Sequence, residues 1–138
     1  MNIKEEATER VNRILLKIDG HFSKTYLEQL QKDSARSSIV KWSNEEDNGR
    51  SLCGFCHSAE KIMGSIPYYP KPHKACDLCL CPPSLCSNMG DGGLVHRILA
   101  SGTVSGTYNG DNRVPIESCD KELVQKLINS LKELFKGL

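Results

Sequence analysis

The chain's apolar residues fall into two helical stripes at its ends and a stretch between them with no sustained period. Ile3, Ala7, Val11, Ile14, Leu15 and Ile18 recur at spacings of three and four and predict an N-terminal amphipathic helix. Asp19-Gly20 is its stop, since glycine tolerates the left-handed conformation at a helix end. Ser23 is placed to cap a second helix with Phe22, Tyr26, Leu27 and Leu30 on its apolar side. A third apolar set, Ala35, Ile39, Val40 and Trp42, follows, and the pattern leaves open whether the second helix runs into it. The polar, acidic run Asn44 to Gly49 reads as a boundary loop.

The strongest stripe is the last one. Leu123, Val124, Leu127, Ile128, Leu131, Leu134 and Phe135 share one face, with Lys and Glu filling the other. Ser118 is the expected N-cap, Asp120 suits the first turn and Gly137 is the expected end. Residues 87–117 are rich in Gly, Asn, Thr and Ser, with Asn109-Gly110 a turn signal. Leu94–Leu99 and Thr103–Tyr108 fit two short hairpin strands, although Leu94, Val95, Ile98 and Leu99 equally fit a short helix. No phosphate-loop or dinucleotide-binding glycine pattern can be built there.

This pattern implies an α-rich, small α+β fold: flanking N- and C-terminal helices around an irregular cysteine-rich module, with room for a short β-hairpin. It divides into 1–48 (helical), 49–117 (cysteine-rich) and 118–138 (a helix packing back on the N-terminal ones), within one domain of 138 residues. Hydrophobic residues make up 38% and aromatics 6%, so apolar burial alone gives a thin core. The formal charge of +1 offers no electrostatic footprint for nucleic acid or an anionic membrane. The first twenty residues lack an apolar run, so neither a leader peptide nor a membrane span is expected, and the expected location is cytoplasmic.

Seven cysteines change the picture, because all lie between Cys53 and Cys119 and six lie between Cys53 and Cys86. An odd number in a reducing compartment points away from a disulfide framework and towards metal ligation or thiol chemistry. Cys53-x2-Cys56 and Cys76-x2-Cys79 are two CxxC pairs at the spacing of a four-thiolate zinc site. A CxxC turn brings two thiolates to one side of a tight loop, and two such knuckles complete a tetrahedron with Zn–S near 2.3 Å. Pro67, Pro70 and Pro72 stiffen the intervening loop and lower the entropy of closing the site. Cys53, Cys56, Cys76 and Cys79 are the expected ligands. Cys81, Cys86, Cys119, His57 and His73 are secondary candidates, and the nine together could fill two sites. His57 and His73 read equally as surface imidazoles beside the site.

The same residues admit other chemistry. Cys81-Pro82 is a dipeptide frequent near iron–sulfur clusters, and four thiolates accept either metal, so an iron–sulfur cluster is the alternative cofactor. Cys53-Gly54-Phe55-Cys56-His57 satisfies the haem-attachment spacing, but that use requires export. A thioredoxin-like centre would need a buried strand ahead of Cys53, where an acidic loop stands instead. Cys119 follows the expected cap of the last helix, where the helix dipole would lower its thiol pKa; as a distant ligand, a reactive thiol or a small buried residue it has three readings. No HExxH, GxSxG or paired-carboxylate pattern occurs, and pairing Asp91 with His96 as acid and base rests on assumption.

From Ile39 to Cys86, about a third of the chain, the sequence resembles small cysteine-rich proteins of prokaryotes and their viruses. In those, a helix ending near a Trp precedes a CxxC, a second CxxC and a further Cys. The matching residues are Lys41-Trp42, Cys53-Gly54-Phe55-Cys56, Cys76-Asp77-Leu78-Cys79 and Cys86, while Cys81-Pro82 and the long segment after Cys86 depart from the pattern. The resemblance implies metal binding and no particular activity. The expected function is a zinc-stabilised binding or adaptor protein with a protein partner. An iron–sulfur protein in electron transfer or sensing is the first alternative, and a thiol- or metal-dependent enzyme the second.

Overall fold

The computed structural model describes residues 2–18, 20–44, 48–49, 54–65, 78–85, 93–103 and 114–134, with the backbone alone at 48, 49 and 56. Among these, five helices account for nearly all regular structure: α1 (Ile3–Lys17), α2 (Lys24–Trp42), α3 (Gly54–Gly64), α4 (Leu94–Ser101) and α5 (Lys121–Glu133). Two dipeptides, β1 (Asn48–Gly49) and β2 (Val114–Pro115), pair antiparallel with Asn48 opposite Pro115. The chain is thus α-rich.

Both N-terminal helices begin and end by local chemistry. Asn2 caps α1 by accepting from the Glu5 amide, and Gly20 past its end has φ of 80°. Ser23 caps α2 by accepting from the Tyr26 amide, and the helix then continues unbroken to Trp42. The apolar set from Ala35 to Trp42 therefore belongs to α2, although Val40 does not share its buried face. Leu27, Gln31, Ser34, Ala35, Ser38 and Trp42 form the buried face. Val40 lies about 200° around the helix from Ser38, and it is 72% exposed.

α2 is the hub. It packs against α1, α3 and α5, while α4 packs on α5. The core joins Val11, Ile14 and Ile18 of α1 with Leu27 and Trp42, with Phe55, Ala59 and Ile62 of α3, and with Leu127, Ile128 and Leu131 of α5. Leu78, Leu80 and Leu85 of the second cysteine segment enter the same core.

Three sequence expectations need correction. Residues Leu94 to Leu99 are helix α4 and not a strand, because Leu94, Val95, Ile98 and Leu99 bury one helical face. The cap of α5 is Asp120, whose carboxylate accepts from the amides of Glu122 and Leu123, while Ser118 closes a 3-10 turn just before it. Cys53-x2-Cys56 does not form an irregular knuckle throughout: α3 begins at Gly54, so Cys56 and His57 lie in its first turn. Phe55, Ala59 and Ile62 supply the helical stripe that drives this, each about 1% exposed. The expected end of α5 at Gly137 and the strand Thr103–Tyr108 fall largely outside the described residues.

Candidate metal centre

The two cysteine-bearing segments approach the same helix. On the first, the amide of Gly54, next to Cys53, donates to Ser38 Oγ at 3.1 Å. Ser34 Oγ and Ser58 Oγ are 2.6 Å apart, a second polar contact between α2 and α3. The helices meet so closely that a Cβ on Gly54 would lie 2.7 Å from the Ser34 carbonyl oxygen, so only glycine fits there. Small side chains at 34 and 38 admit this approach, and their hydroxyls also satisfy buried backbone groups, with Ser38 Oγ donating to the Ser34 carbonyl at 2.8 Å.

On the second segment, Gln31 Nε2 donates to the carbonyls of Leu80 at 2.8 Å and Ala7 at 3.1 Å. Arg10 of α1 donates from Nε to the Cys79 carbonyl at 2.8 Å, although its side chain is 4% exposed. Ser84 follows with its amide and hydroxyl both donating to the Glu6 carboxylate at 3.0 and 2.7 Å. Three polar side chains of α1 and α2 therefore fix consecutive carbonyls and the turn beyond them. Buried carbonyls in a segment without a ladder of its own require such partners.

The candidate ligands are distributed as follows. Cys79 and Cys81 are buried, and Cys81 Sγ donates to the Pro82 carbonyl oxygen at 3.5 Å. His57 is exposed on α3, the position expected of a surface imidazole. Cys53, Cys76, Cys86 and His73 lie outside the described residues, as does the side chain of Cys56. Among the described residues, no group of three or more His, Cys, Asp or Glu side chains converges on one point.

Cys119 sits elsewhere, where α4 meets the start of α5. Its thiol donates to the Pro115 carbonyl at 3.5 Å and packs against Gly102, where a Cβ would come within 3.0 Å of the sulphur. Burial pushes its pKa above the ordinary thiol value. This is opposite to the expected lowering: Asp120, not Ser118, caps α5, so Cys119 precedes the cap, and burial disfavours its thiolate. A raised pKa keeps more of the group as the neutral thiol.

Arg10, Gln31, Ser34 and Ser38 are absent from a reading of the sequence based on ligand spacing. Their signal was the polarity of positions 31, 34 and 38, which fall at helical spacing on the side of α2 that a core helix would bury. Trp42 continues this face, and its Nε1 is buried without a hydrogen-bond partner among the described residues.

No family model, curated protein or solved structure matches the chain. Among the described residues no helix is long and apolar enough to cross a membrane.

Proposed function

We propose that the chain is a small zinc protein in which Cys53, Cys56, Cys76 and Cys79 hold one structural metal ion, and that it serves as a binding or adaptor module. One observation carries the reading. Both segments that bear the CxxC pairs are fastened to a single buried face of α2, Gly54 by Ser38 and Leu80 by Gln31. Positions 31 and 38 are two turns apart, or about 10 Å along the axis. Two halves of a four-thiolate motif are thereby tied to one rigid support.

The donor chemistry agrees. Cys79 is buried and its segment has little regular structure of its own, which suits a loop stabilised by a metal. Zinc held by four thiolates supplies folding free energy of about 10 kcal/mol or more, comparable to the stability of a whole domain. An all-thiolate shell has no open position for substrate, so the site is structural and the function is binding, with a protein as the expected partner. Persistent thiolates belong to a reducing compartment, which makes the location cytoplasmic. The resemblance of residues 39–86 to small cysteine-rich proteins of prokaryotes and their viruses points the same way.

Elemental analysis of anaerobically purified protein tests this reading. The expected result is about one zinc per chain in a colourless protein. A brown protein with iron and acid-labile sulfide would overturn zinc in favour of an iron–sulfur cluster. Cys79→Ser should release the metal and abolish cooperative unfolding; a variant that keeps both the metal and the wild-type melting curve removes Cys79 from the ligand set.

A further inference from the structure

We draw no further inference here: the strongest candidate, the shallow surface groove along the outer face of α1 that runs from Asn2 past Glu9 and Arg13 to the exposed Leu16, is a helix face of mixed charge, and nothing among the described residues shows what covers it.

Discussion

α5 and α2 are both amphipathic, yet they bury opposite kinds of surface. α5 buries Leu127, Ile128 and Leu131, and the hydrophobic effect accounts for its place. α2 buries Gln31, Ser34 and Ser38 between its apolar ends Leu27 and Trp42. Hydrophobic burial is non-directional and tolerates small shifts. Hydrogen bonds from Gln31 to Leu80 and from Gly54 to Ser38 are directional and fix individual atoms. The difference separates two tasks: α5 supplies stability, and α2 supplies position to the segments that bear the cysteines.

Substitutions on the two helices should therefore differ in kind as well as in size. Leu127→Ala should have the largest effect on folding, about 2–5 kcal/mol in chemical denaturation of the metal-loaded protein, because Leu127 is 1% exposed. Because metal binding and folding are coupled, its zinc affinity should fall by no more than that lost folding free energy. A larger fall would show that α5 also positions the ligands, and the division of labour between the helices fails. Gln31→Leu should cost less, about 1–3 kcal/mol, since the carbonyls of Leu80 and Ala7 both lose a donor inside the protein. Here zinc affinity should fall by more than the lost stability accounts for. Unchanged affinity would show that the Leu80 carbonyl need not be held.

The smallest effect is one of pH. The folded pKa of Cys119 is raised by burial, so its thiolate is disfavoured in the folded chain relative to the unfolded one. Its contribution to stability is fully present below the unfolded thiol pKa and is lost as pH rises through the folded pKa. Denaturation of wild type and Cys119→Ala across pH 8 to about 11 should give a steeper alkaline loss for wild type. Parallel curves would contradict the raised pKa.

Much of the helical frame was legible because capping and period-3.6 burial are local. Ser23 and Gly20 do what residue chemistry leads one to expect of them. The apolar face of α5 was equally plain. The helix α3 was hidden by the cysteine motif itself: Cys53-x2-Cys56 draws attention to ligand spacing, while Phe55, Ala59 and Ile62 carry the helical signal. Ser118 and Asp120 are both good caps by type, and only the 3-10 turn ahead of α5 decides between them. The support of the candidate centre was the least legible part. Arg10 and Gln31 read as surface residues by type, and their burial depends on carbonyls that lie 69 and 49 residues away in the chain. Long-range hydrogen bonds leave no period in a sequence.

Zinc K-edge X-ray absorption of the anaerobically purified 138-residue chain tests the central claim most directly. Four sulphur neighbours at about 2.3 Å are expected. A first shell dominated by nitrogen and oxygen, or a sample whose metal is iron, would contradict it.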